Sequence, residues 1–155
     1  MQQKVEKNNF GDAKIDINTD LDCSKDGVKL RRMDDYWEQI LKKERIMVLK
    51  IDVQGYEPLV LKGAQAMLEA KPPVFIFMEF SPQRYIDYDF DGAQMVYDMI
   101  ERGYKARVIG NNGMSLTASN GNIEKLAAAV ERDEYTVELV HIESVKQLTS
   151  GSLHL

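Results

Sequence analysis

The stretch from Ile46 to Glu57 restricts the possible folds of this chain more than any other part of it. Ile46-Met47-Val48-Leu49-Lys50-Ile51-Asp52-Val53 is a near-continuous apolar run. Runs of this length suit a strand of a parallel sheet, covered on both faces. Gln54-Gly55 closes the run, and Pro58 follows in the first turn of a helix, where a missing N–H leaves no bond unmade. Lys50 and Asp52 stand two residues apart, so they share one face at the carboxyl end of that strand. In open α/β sheets ligands bind just outside the carboxyl ends of the strands. The competing explanation is a structural pair with Glu57 or a neighbouring helix end, because enclosed charges need partners whatever their role.

The same alternation of strand and helix runs along most of the chain. Ala13–Ile17 alternates as a short edge strand would, and Val28–Met33 alternates with one wet face. Asp34 reads as an N-cap for a helix carrying Trp37, Ile40 and Leu41 on one stripe. A helix from Glu57 to Ala70 follows the central strand, and Pro72-Pro73 stops it. Val74–Phe80 is a second buried strand, ending in Glu79 and then Ser81-Pro82. A helix over 91–102 stops at Gly103, and 104–109 is a third strand. Gly110–Gly113 is a turn, Ile123–Val130 an amphipathic helix, and Tyr135–Ile142 the final strand. This order predicts α/β layering with a largely parallel sheet whose last strands turn antiparallel.

Charge and length narrow the functions open to such a fold. With 155 residues, one domain is expected. Residues 1–27 read as a loosely attached segment, 28–145 as the domain and 146–155 as a tail. The net charge of −5 argues against nucleic-acid binding, which needs a basic face. Cys23 is the only cysteine, which leaves no internal disulfide and points to a reducing cytoplasm. His141 and His154 are too few and too far apart for a histidine metal site. No leader peptide is visible in Met1–Asn9, and no apolar run is long enough for a membrane span.

Asp52, Glu57 and Glu79 are therefore the candidate chemistry. They end two adjacent strands or follow directly after one. Proton transfer, metal binding and holding a hydroxyl-rich ligand all suit converging carboxylates. Glu57 has a plainer alternative, since an acid in the first helical turn is favoured by the helix dipole. Glu79 has one too, as a cap for the next loop. A carboxylate metal site is disfavoured because no histidine joins the three acids.

The stretch Leu49-Lys50-Ile51-Asp52-Val53-Gln54-Gly55-Tyr56-Glu57-Pro58-Leu59-Val60-Leu61-Lys62-Gly63-Ala64 resembles the central motif of the FkbM-type methyltransferases. Met33-Asp34-Asp35 resembles the family's helix start, Pro73–Glu79 its next strand, and Gly103-Tyr104 a later helix end. The resemblance covers about Val28 to Val108. It implies the C-terminal half of a class I (Rossmann-like) methyltransferase sheet, mostly parallel with helices on both faces. It also implies methyl transfer from S-adenosylmethionine to an oxygen of a sugar or small metabolite. By that resemblance Asp52, Glu79, Lys50 and Glu57 are the catalytic candidates, and Asp52 and Gln54 the cofactor-binding ones. Gln54 stands where many members carry Glu.

One part of the pattern is absent. Such folds hold the cofactor on a glycine-rich turn after the first strand and an acidic residue ending the second. Neither precedes Asp52, and a single βαβ unit already needs about thirty residues. The chain thus reads as a methyltransferase half without its main cofactor wall. Its strand 46–53 is then an apolar sheet edge, and such edges invite pairing. The favoured account is that the chain is part of a longer protein; otherwise a separate chain supplies the missing half, or Ala13–Ile17 or Val28–Met33 folds back over the edge, and the isolated chain is expected to form a homodimer or aggregate. A non-catalytic half-domain acting through that edge is the alternative function.

Overall fold

The computed structural model describes residues 2–5, 13–16, 30–110, 113–129 and 135–151. The chain divides into two compact units, residues 1–31 and 32–155. In the first, β1 (Gln2–Val5) and β2 (Ala13–Asp16) pair antiparallel, with Val5 opposite Ala13. β2 lies where the alternation of 13–17 predicts a strand. The expected strand 28–33 does not form in its described part. Residues 30–32 are neither strand nor helix, and Met33 opens a helix.

The second unit holds α1 (Met33–Gln39), β3 (Val48–Ile51), α2 (Glu57–Lys62), α3 (Gln65–Ala70), β4 (Phe75–Phe80), α4 (Pro82–Asp87) and α5 (Gly92–Glu101). These are followed by β5 (Tyr104–Val108), β6 (Ser115–Leu116), α6 (Asn122–Ala127), β7 (Tyr135–His141) and α7 (Ile142–Thr149). The strands form one sheet in the order β3-β4-β7-β5-β6. β3, β4 and β5 run the same way, as expected. Only β3 and β4 are parallel neighbours, because β7 enters antiparallel between β4 and β5, and β6 is antiparallel to β5. The expectation of a mostly parallel sheet is thereby corrected to a mostly antiparallel one. Val137 and Leu139 of β7 explain the insertion, since they fill the layer between Met78 and Ile76 on one side and Val108 and Ala106 on the other.

Burial alternates along these strands instead of running through them. Ile51, Ile76, Met78, Phe80, Ala106, Val108, Val137 and Leu139 are buried on one face, against Leu61, Met67, Met95, Val96, Met99 and Leu126 from the helices. Val48, Lys50, Lys105 and Arg107 point the other way and are exposed, with Phe75 and Phe77 between. The expectation of helices on both faces is therefore corrected among the described residues: the second face is half-buried at best. Close packing on the covered face is tight enough to require glycine at position 92, where a Cβ would stand 2.7 Å from the Tyr85 ring.

Two helices end differently from the sequence reading. The helix over 57–70 breaks at Gly63-Ala64 into α2 and α3. Asp34 does not cap its own helix, whose N-cap is Arg32. Its carboxylate accepts from the backbone N–H of Ala66 (3.2 Å) and Met67 (3.0 Å), while its own N–H donates to the Gly63 carbonyl (2.8 Å). Asp34 thus satisfies free N–H groups at the start of α3 and locks two helices together.

Candidate functional site

The parallel pairing of β3 and β4 builds the site. Ile51 pairs with Met78, so Asp52 and Glu79 stand side by side at the carboxyl ends of the two strands. Between them lies Gln54. Its amide Nε2 donates to Asp52 Oδ1 (3.1 Å) and to Glu79 Oε2 (2.9 Å). Lys50 Nζ donates to Asp52 Oδ2 at 2.9 Å. Lys50, Asp52, Gln54 and Glu79 therefore form one connected rim, and Asp52 and Lys50 are open to solvent. The Lys50 hydrogen bond is the main reason that the Asp52 carboxyl is held below its ordinary range, with the Gln54 amide assisting. The same bond raises the Lys50 ammonium. At neutral pH this rim carries an ionised carboxylate beside an ammonium.

Gln54 reaches this position because the turn is unusual. Gln54 and Gly55 both have positive φ (57° and 99°), and the Tyr56 N–H donates to the Val53 carbonyl at 3.3 Å. Two successive left-handed residues define the primed turn type, which favours glycine at one of them. Gly55 is required on packing grounds as well, since a Cβ there would lie 2.8 Å from Arg84 Cβ and 3.0 Å from Tyr88. Arg84 Nη1 donates to the Gln54 carbonyl (3.2 Å), which ties the turn to α4.

Glu57 is turned away from the rim. It is fully buried, and its carboxylate accepts from the N–H of Val53 (3.0 Å), the N–H of Gly55 (3.0 Å) and the hydroxyl of Tyr85 (3.0 Å). The Tyr85 hydroxyl also lies 3.1 Å from the Glu79 carbonyl, so its one proton is shared between two acceptors, and burial together with the Glu57 charge pushes its phenol well above the ordinary range. Glu57 therefore fixes the turn that aims Gln54. No group of three or more histidine, cysteine, aspartate or glutamate side chains suited to a metal occurs among the described residues.

Among the described residues, Gln54 Oε1 and Ser81 Oγ at this end of the sheet are buried with no hydrogen-bond partner. With Nε2 held by two carboxylates, the amide cannot flip, so Oε1 stays an acceptor that lacks a donor. Ser81 and Arg84 received no functional reading from the sequence. The Ser81-Pro82 pair was a usable signal, because it is the start pattern of a helix, here α4.

The methyltransferase FkbM domain matches residues 22–106, more than half of the chain, and the matched part contains the whole rim from Lys50 to Ser81. The chain belongs to the FkbM methyltransferase family. Neither the curated proteins nor the solved structures give a match to it.

Proposed function

We propose that this chain forms the acceptor-side rim of an S-adenosylmethionine-dependent O-methyltransferase acting on a hydroxyl of a sugar or small metabolite, in the cytoplasm. One observation carries the reading: Asp52 and Glu79 are brought together at adjacent strand ends, with the Gln54 amide clamped between them, inside a methyltransferase family motif. S-adenosylmethionine, when bound, supplies a methyl group on a positively charged sulfur. The residues present fit one side of such a ligand. Asp52 offers a negative charge to a cation, and Gln54 Oε1 is an orphaned acceptor for an N–H or O–H. The glycine-rich turn and the ribose-binding acid are not found among the described residues, so these side chains hold only that side.

Asp52 and Gln54 are assigned to binding and orienting the cofactor. Glu79, tied to Gln54 and partly shielded, is assigned to the acceptor hydroxyl, whose proton a carboxylate can take as the oxygen becomes nucleophilic. Most of the acceleration in such a transfer comes from alignment rather than from proton removal. Lys50 keeps Asp52 ionised. Calorimetric titration of the purified chain with S-adenosylhomocysteine tests this. Micromolar binding that falls at least about tenfold in Asp52→Ala, with the fold intact, is the expected result.

A second reading has its own observation. β3 pairs with β4 on one side only among the described residues, and Val48 on it is 56% exposed. A half-domain that works through this edge, as a homodimer or with a separate chain, fits that feature. It predicts a concentration-dependent dimer in sedimentation velocity that Val48→Lys abolishes. A folded chain that fails to bind S-adenosylhomocysteine and dimerises in this way would replace the first reading by the second.

A further inference from the structure

A polar cavity lies at the other end of the sheet from the rim. It has a volume of about 390 Å³ and is walled by Arg45, Arg102, His141, Ser144, Gln147 and Glu69, with apolar and backbone atoms between them. Pro72, just before β4, also lines it, and Glu79 lies near the far end of that strand. At roughly 3.3 Å per residue the cavity is about 17 Å or more from the rim, too far to be part of it.

Both guanidinium groups bond to neutral atoms, Arg45 through two part-buried bonds and Arg102 through one exposed bond. Arg45 Nη1 donates to the Pro72 carbonyl (3.2 Å) and to Ser144 Oγ (3.0 Å). Arg102 Nη2 donates to Gln65 Oε1. Among the described residues neither makes an ion pair with a carboxylate, although the chain has more acidic than basic residues and Arg32 and Arg107 pair with Asp34 and Glu138. Glu69 stands on the exposed lip without bonding to either, so the walls carry two positive charges against one negative.

His141 completes the wall as a neutral group. Its Nε2 lies 3.2 Å from the Arg102 carbonyl, which can only accept, so Nε2 carries the proton. Nδ1 then accepts from the Ser144 hydroxyl (2.8 Å) and the Ser144 N–H (3.2 Å), capping α7. Burial holds the imidazole below its ordinary value, in agreement with a neutral ring. Arg45, Ser144 and His141 thus form a chain of bonds that orients one guanidinium without neutralising it.

We infer that this cavity is a binding site for a phosphoryl group, such as a phosphate monoester, clasped between Arg45 and Arg102. Two planar forks beside one cavity, neither paired with an acid among the described residues, match an oxyanion. A single carboxylate is satisfied by one fork, whereas a phosphoryl group offers three terminal oxygens and up to two charges, enough for both. The site is independent of the methyl-transfer reading and stands whether or not that reading holds.

The test is an NMR titration of the ¹⁵N-labelled chain with inorganic phosphate at constant ionic strength, following the amides of Ser144 and Gly103. Saturable shifts with a Kd of about 1 mM or tighter are expected. Arg102→Gln, which keeps the backbone carbonyl that holds His141, should weaken binding about tenfold. Gln147→Lys adds a cation to the wall and should tighten binding several-fold, which keeps the test open if Arg102→Gln is unstable. Absence of saturable shifts, equal affinity in both variants, or binding of citrate but not phosphate would each overturn the assignment.

Discussion

Asp52 and Glu57 lie on the same strand–turn–helix, five residues apart, and the fold uses them in opposite ways. Glu57 is enclosed and accepts from two backbone N–H groups and a buried phenol. Asp52 is open to water and bonds to Lys50 and the Gln54 amide. Both are carboxylates near the end of the same strand, and sequence proximity made both candidates for chemistry. The difference lies in what the donors belong to. Glu57 is bonded to the very turn it follows, so it shapes the site without facing a ligand. Asp52 is bonded to side chains at the rim, which can move aside for one.

Replacing the inward carboxylate should have the largest effect. Glu57→Ala leaves two N–H donors without an acceptor and the Tyr85 hydroxyl with only the Glu79 carbonyl, and a loss of about 3–5 kcal/mol in urea denaturation is expected. A loss below about 1 kcal/mol would break the contrast, because Glu57 would then be free for another role. Gly55→Ala comes next. It places a Cβ 2.8 Å from Arg84 Cβ in a backbone with φ of 99°, and should cost about 2–4 kcal/mol. Asp52→Ala should leave the urea midpoint nearly unchanged while reducing binding of S-adenosylhomocysteine, the reverse of the Glu57 pattern.

The smallest expected effect is in acid. The Asp52 carboxyl is lowered in the folded chain, chiefly by the Lys50 hydrogen bond. Its stabilisation is therefore complete above the unfolded aspartate value and is lost as pH falls through the lower folded value. Because the pair is exposed, the change is small and salt weakens it. Comparing the acid limb of urea midpoints for the wild type and Asp52→Asn measures it. An acid dependence that is large and insensitive to salt would mean that Asp52 is shielded like Glu57.

Much of the rim was legible in the sequence because it is local. A strand, a Gln-Gly turn and a Pro-bearing helix place Lys50, Asp52 and Gln54 by chain geometry alone. Glu79 needed only the parallel neighbour, which the apolar run 74–80 supplied. Asp34 was less legible, since its pattern is that of an N-cap and nothing local says that the capped helix is α3. The exposure of Val48 and Lys50 was missed for a related reason. An apolar run records what a strand would bury if covered, and the cover belongs to other segments.

By itself, then, the sequence determined the family, the direction of β3, β4 and β5, and the residues that end them. Those properties follow from periodicity, turn chemistry and a contiguous motif. The tertiary structure alone decided that β7 separates β4 from β5, that one face of the sheet stays open, and that Glu57 faces inward while Asp52 faces out. It alone brought Arg45, Arg102 and His141 around one cavity, from a loop, a helix end and a strand end distant in the chain. These outcomes rest on which apolar layer each strand completes and which donors fall near each carboxylate. Both are contacts between segments far apart in sequence, and no local pattern encodes them.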